Sequence, residues 1–205
     1  NVNKTDQIAV VVAQGEITSG DQPAGTVGGE STAALIREAR ENEDVKALVL
    51  RVDSPGGEVF PSEQIRREVV LTQAAGKPVV VSMANVAASG GYWISMNADK
   101  IYADESTITG SIGIFGLMIR IPKTLAKIGI RADGVSTTPW AGAFDVSRPI
   151  DESTATVIQS VINHGYSQFI GKVSKARKQT YEQIDANARG RVWSGAQAKE
   201  KGLVD

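Results

Sequence analysis

VKALVLRVDSPGGEVFPSEQIRREVVLTQAA, residues 45 to 75, decides the fold. Val45 to Val52 (VKALVLRV) is rich in valine and leucine and reads as a strand. Asp53-Ser54-Pro55-Gly56-Gly57 ends it in a tight turn. Pro61 then stands at a helix start with Glu63 in the first turn, and the helix runs to about Ala75. The same succession recurs on both sides. Upstream, Ile8 to Ala13 is a short β-branched strand, followed by glycine-bearing turns and a helix capped by Ser31 or Thr32 that runs through about Arg40. Downstream, Gly76-Lys77-Pro78 leads into the strand Val79 to Met83. A glycine-rich segment with Ser89-Gly90-Gly91 enters a short helix, Tyr92 to Met96, and Lys100 to Ala103 is a further strand. Alternation of strand and helix predicts an α/β fold. Past Asp151 the pattern changes. Apolar residues at Val157, Ile158, Val161, Ile162, Phe169, Ile170 and Val173 keep a helical period to about Lys178, and Thr180 opens another short helix. No linker or repeat divides the chain, so residues 1–205 are expected to form a single domain.

Composition narrows the function. With 22 Lys+Arg against 23 Asp+Glu, the net charge of −1 gives no electrostatic reason to expect a nucleic-acid partner. The chain has no cysteine and one histidine, His164. Disulfides, thiolate chemistry and cysteine-ligated zinc are excluded, and no metal or cofactor is expected. The longest nearly uninterrupted apolar run, Ile112 to Ile119, is far short of the roughly 20 residues that span a bilayer. The chain opens at Asn1 and stops at Leu203-Val204-Asp205, which reads as one piece of a longer protein.

Three glycine-bearing loops follow strand ends: DSPGG (53–57), ASGG (88–91) and TGSIG (109–113). In open α/β folds ligands gather beyond the carboxyl ends of strands. Two N–H groups from separate loops, aimed at one point, can hold the oxyanion of an acyl-transfer intermediate. Ser89 admits two readings. It is either the N-cap of the following helix or a nucleophile near the positive end of a helix dipole. The nucleophile reading departs from a Gly-x-Ser-x-Gly elbow, because Ala87 stands where the first glycine belongs. It also needs a base. His164 falls among the apolar positions of the long helix and reads as structural. A Ser-Lys dyad needs a neutral, buried lysine, and none of the eleven lysines stands in an apolar setting; Lys100 and Lys123 alone lie near the loops.

Read together, DSPGG (53–57), MANVAASGGYWI (83–94) and TGSIGIFG (109–116), in this order and spacing, resemble the signal peptide peptidase A (protease IV) family. The likeness extends through the helical tail to RVWSGAQAKEKGLVD (191–205). It implies a Clp-protease/crotonase-like fold and a membrane-anchored serine protease. Residue by residue, Ser89 matches the nucleophile, and the amides of Gly56, Gly57 and Gly90 match the oxyanion hole. Ser111 matches a hydroxyl that orients the general-base lysine. Short members of the family carry that lysine before a Ser-x-Arg stretch resembling Ser147-Arg148. Here the corresponding segment is WAGAFD (140–145), without lysine. In long members the amino-terminal half supplies the lysine and the carboxyl-terminal half the serine, so the chain resembles that second half.

The resemblance implies hydrolysis of released signal peptides or other hydrophobic peptides. Substrate would add as a strand beside Gly56–Val59 and Gly113, Ile114 and Phe115. It also implies a homo-oligomer, partnered by the amino-terminal half, at the periplasmic face of the bacterial inner membrane with its anchor outside this chain. Rival readings stay open. One is a crotonase-type acyl-CoA enzyme using Glu58. Another is a phage-capsid or Clp-like protease, and a third is a non-catalytic assembly module.

Overall fold

The computed structural model describes residues 6–135, 137–138 and 140–205. They form two compact units. One holds the described residues through Gly113 together with Phe169–Asp205, and the other is Ile114–Gln168.

The first unit is built on a six-stranded sheet. Its strands are β1 (Gln7–Gln14), β4 (Val45–Ser54), β5 (Val79–Ala88), β6 (Lys100–Tyr102), β7 (Ile108–Gly110) and β8 (Val192–Ser194). They run in the order β1-β4-β5-β7-β8, with β6 also pairing to β5. All pairings are parallel except β7 with β8. Two short strands, β2 (Ile17–Thr18) and β3 (Val27–Gly28), pair separately.

The alternation in β4 places Val45, Leu48, Leu50, Val52 and Ser54 inside. Val79, Val81 and Met83 of β5 join them. Helix α1 (Gly29–Glu41) brings Ala33, Ile36 and Ala39 to the core, and α2 (Val59–Ala74) brings Ile65 and Val69. Full burial of each such aliphatic side chain is worth about 1.5–3 kcal/mol. Helix α3 (Gly90–Ser95) is buried along its whole length. The chain closes with α6 (Tyr181–Asn187) and α7 (Gly195–Glu200), both started by capping boxes, at Thr180 with Gln183 and at Ser194 with Gln197.

Three boundaries differ from the sequence reading. Helix α1 begins at Gly29, so Ser31 and Thr32 sit inside its first turn, and Gly28 is the N-cap. Helix α2 begins two residues before Pro61, and Glu63 lies past its first turn. Strand β5 does not stop at Met83 but continues to Ala88. The small residues from Ala84 to Ala88 read as loop, yet they extend the strand by pairing. Val86, Ala87 and Ala88 face Ile108, Thr109 and Gly110 of β7. The β4–β5 register also shifts, from Val52 opposite Met83 to Ser54 opposite Ala87. Such an irregularity re-aims the strand end, and here Asp53 fills it by accepting from the Val86 N–H at 3.2 Å.

The second unit holds α4 (Pro122–Lys127) and the first part of α5 (Glu152–Arg177). The Asp151 carboxylate starts α5 by accepting from the Thr154 N–H at 2.9 Å and from the Ser153 and Thr154 hydroxyls. Among the described residues no helix is long and apolar enough to cross a membrane.

Candidate active site

Ser89 follows the last residue of β5 and precedes the first residue of α3. Its backbone holds φ 54° and ψ −117°, a conformation that non-glycine residues adopt only when their surroundings impose it. Two hydrogen bonds impose it. The Ser89 N–H donates to the Gly110 carbonyl at 2.9 Å, and the Ser89 carbonyl accepts from the Trp93 N–H at 2.9 Å. Ser89 occupies the N-cap position, but its side chain makes no capping hydrogen bond. The hydroxyl is therefore not engaged in holding the helix. It is half-buried, between buried Ala88 and buried Gly90.

The turn after β4 lies directly against this serine. A Cβ placed on Gly56 would stand 2.6 Å from the Gly90 nitrogen and 2.8 Å from Ser89 Cβ, and Gly56 holds φ +106°. Only glycine permits both the conformation and the approach. The Gly56 N–H donates to Ser54 Oγ at 3.2 Å, and the Gly56 carbonyl accepts from the Ile17 N–H at 2.8 Å. A trans peptide plane holds its C=O and N–H in opposite directions. With the Gly56 carbonyl fixed on Ile17, the Gly57 N–H is turned the other way. The Gly57 nitrogen lies 3.1 Å from where a Cβ on Gly90 would be. Gly90, the first residue of α3, has an N–H without an intrahelical acceptor. The structure thus brings Ser89, Gly57 and Gly90 together. Gly56 shapes the turn while its own amide is held by Ser54.

Ser111 follows Gly110, which is paired with Ala88. It too is half-buried with positive φ, 49°, and its N–H donates to the Arg191 carbonyl at 2.7 Å. Val59 is the first residue of α2 and is 42% exposed. Gly113 ends the first unit beside Gly190, whose Cα would lie 2.8 Å from a Cβ there. Ile114 and Phe115 belong to the second unit, where Ile114 packs beside Gly165 and Phe115 is exposed.

Among the described residues no lysine or histidine is hydrogen-bonded to the serine. Lys4 lies outside the described residues; of the other lysines none is buried, and none is hydrogen-bonded to Ser89. The half-buried ones are engaged elsewhere. Lys77 donates to the carbonyls of Ala39 and Asn42. Lys172 pairs with Glu63 at 3.0 Å, and Lys201 lies 4.1 Å above the Trp193 ring. His164 is exposed on α5, its Nε2 2.7 Å from Gln168 Nε2. Glu58 is exposed and accepts a hydrogen bond from the Ser19 hydroxyl. The WAGAFD segment is a run of hydrogen-bonded turns. Ala143 N–H donates to the Trp140 carbonyl at 3.0 Å and Asp145 N–H to the Gly142 carbonyl at 2.9 Å. Arg120 fastens it by donating to the carbonyls of Ala143 and Asp145.

Sequence reading overlooked the polar cluster behind α3. Glu63 accepts from Trp93 Nε1 at 2.8 Å, from Arg66 at 2.7 Å and from Lys172 at 3.0 Å. Partial burial pushes its carboxyl up, but these three donors outweigh burial and hold it at about 2. The ring of Trp93 packs against Phe169, tilted by 44° with centroids 4.3 Å apart. The cluster holds the helix that follows Ser89, and no motif in the sequence announces it.

The chain resembles known proteins in fold and in sequence. A ClpP1 mutant from Listeria monocytogenes superposes with a TM-score of 0.58 at 16% identity, covering 95% of this chain and 88% of that one. The fold is therefore α/β, like that of this ClpP1 chain. Protease 4 of Salmonella typhi is 52% identical over 198 residues, 97% of this chain and 32% of that protein. Protease 4 of Haemophilus influenzae is 47% identical over 99% of this chain and 33% of its own length. The chain thus spans about a third of the length of these two relatives. The chloroplastic serine protease SPPA of Arabidopsis thaliana is 36% identical over 98% of this chain. The sequence profile of peptidase family S49 matches residues 72–205, and the chain belongs to that family.

Proposed function

We propose that residues 1–205 serve as the serine-bearing domain of a Ser-Lys endopeptidase whose lysine comes from outside this chain. One observation carries the reading: Ser89 is held at positive φ with a hydroxyl free of capping, and its Cβ and the Gly90 nitrogen lie against Gly56 of the Gly56–Gly57 turn. The Ser89 Oγ attacks a peptide carbonyl carbon while its proton passes to the neutral amine of a lysine. The resulting oxyanion is held by the N–H groups of Gly57 and Gly90. The protonated lysine then gives its proton to the departing amine, leaving an ester on Ser89. Water, deprotonated by the same lysine, hydrolyses that ester and restores the serine. Ser111 orients the lysine by hydrogen bonding.

Substrates are released signal peptides or similar apolar peptides, lying extended beside Gly56–Val59 and Gly113. Partners are the lysine-bearing part of the same protein and further copies of it. The assembly stands at the outer face of the bacterial inner membrane, and nothing in the charge favours nucleic acid. Replacing Ser89 with alanine in the full-length protein tests the reading. Peptide cleavage is expected to fall by at least about 10³-fold with the fold intact. Undiminished cleavage would overturn it.

A further inference from the structure

We infer that Ser54 is a positioning residue for the reaction, acting through the Gly56–Gly57 turn. The inference rests on the reading of Ser89 as nucleophile and adds a residue to it. Ser54 is the last residue of β4 and is wholly buried. Its Oγ accepts the Gly56 N–H at 3.2 Å. Its backbone lies under α3, with its carbonyl oxygen 2.6 Å from where a Cβ on Gly91 would stand.

One residue therefore touches both pieces that form the oxyanion hole. The turn has two pins. The first is the Ile17 N–H on the Gly56 carbonyl, which sets the plane containing the Gly57 N–H. The second is the Ser54 hydroxyl on the Gly56 N–H, which sets the plane before it. Gly56 and Gly57 are both at positive φ, so the turn itself offers little resistance to rotation. Without the Ser54 acceptor, the Pro55–Gly56 peptide plane is free to turn. The Gly56 N–H then competes with the Gly57 N–H for the pocket, and only the Ile17 pin still holds the turn. Displacing a preorganised group by about 1 Å can lose on the order of 10² in rate.

The test uses the full-length protein and a chromogenic peptide substrate. Ser54→Ala is expected to lower kcat about 10–100-fold with KM within about twofold of wild type. Ser54→Thr, which keeps the acceptor, is expected to recover most of that loss, whereas Ser54→Val, isosteric with the threonine variant, is not. Exchange of the Gly56 amide proton is expected to quicken in Ser54→Ala and Ser54→Val but not in Ser54→Thr. Thr72→Val serves as the comparison. It removes another buried hydroxyl, one that donates to the Glu68 carbonyl within α2, and kcat is expected to stay near wild type. Wild-type kcat in Ser54→Ala, equal activity in the threonine and valine variants, or an equal loss in Thr72→Val would overturn the inference. If Ser54→Ala does not fold, the threonine–valine pair carries the comparison. Ser89→Ala in the same assay separates the two levels. If it abolishes cleavage while Ser54→Ala has no effect, the positioning role alone fails. If it leaves cleavage intact, the nucleophile reading fails with it.

Discussion

Ser89 and Ser111 each follow one member of the Ala88–Gly110 pair, and both hold positive φ, at 54° and 49°. Two parallel strands thus end side by side and deliver two hydroxyls to one end of the sheet, each from a residue at positive φ. Ser89, with ψ −117°, is strained, and its N–H on the Gly110 carbonyl supports that strain, while the Ser111 N–H is held on the Arg191 carbonyl. Such conformations cluster where chemistry needs a group held in place.

That strain is measurable. Ser89→Gly is expected to stabilise the fold by about 1 kcal/mol, the relief exceeding the extra entropy of glycine in the unfolded chain. Ser89→Ala keeps the strain and is expected to unfold close to wild type. Urea unfolding of the two variants checks this; a glycine variant less stable than the alanine one would contradict it.

The contact between Gly56 and α3 gives a second expectation. In Gly56→Ala the new methyl meets the Gly90 nitrogen and Ser89 Cβ at φ +106°, so stability is expected to fall by more than about 2 kcal/mol. Gly20 has φ +77° but nothing within 4 Å of its would-be Cβ. Gly20→Ala is expected to lose only the left-handed backbone penalty, about 1 kcal/mol. Comparable losses at both sites in denaturant unfolding would count against the close packing described.

Glu63 makes stability depend on acid. Its folded carboxyl titrates at about 2, below the ordinary 4.5. The stability from Trp93, Arg66 and Lys172 is therefore fully present above pH 4.5 and disappears as pH falls through about 2. With the side chain 33% exposed, about 1–2 kcal/mol is expected after solvent screening. Glu63→Gln is expected to remove that amount at neutral pH and to flatten the decline between pH 4.5 and 2. Parallel stability–pH curves for wild type and variant would show that Glu63 contributes nothing to acid sensitivity.

Tyr92, three residues past Ser89, is fully buried and donates to the Leu203 carbonyl at 2.9 Å. Burial pushes its phenol well above the ordinary range. Tyr92→Phe leaves that carbonyl unpaired and is expected to lose about 1–3 kcal/mol. In the wild type, alkaline spectrophotometric titration is expected to show one tyrosine that ionises only on unfolding. Reversible ionisation of every tyrosine in the folded state would contradict the buried hydrogen bond.

Much of the sheet was legible because Ala47–Leu50 of β4 and Val79–Val81 of β5 are short apolar runs next to turn residues, the pattern of a buried strand. The end of β5 was not. Ala84 to Ala88 have weak strand propensity, and only their pairing with β7 makes them strand, a tertiary effect absent from local sequence. Ser89 was visible through its glycine neighbours and its resemblance to a family. Its freedom from capping was not, because an N-cap serine and a nucleophile look alike in sequence. Ser54 and Glu63 were overlooked for a related reason. Each acts through a partner set by the folded chain, Gly56 for one and Trp93 for the other.

Fluorophosphonate labelling of Ser89 tests the split of nucleophile and base most directly. The isolated chain is expected to label weakly or not at all, and the full-length protein, with the lysine-bearing part present, to label strongly at Ser89. Strong labelling of the isolated chain would mean that a base within these residues activates the serine, which contradicts the account.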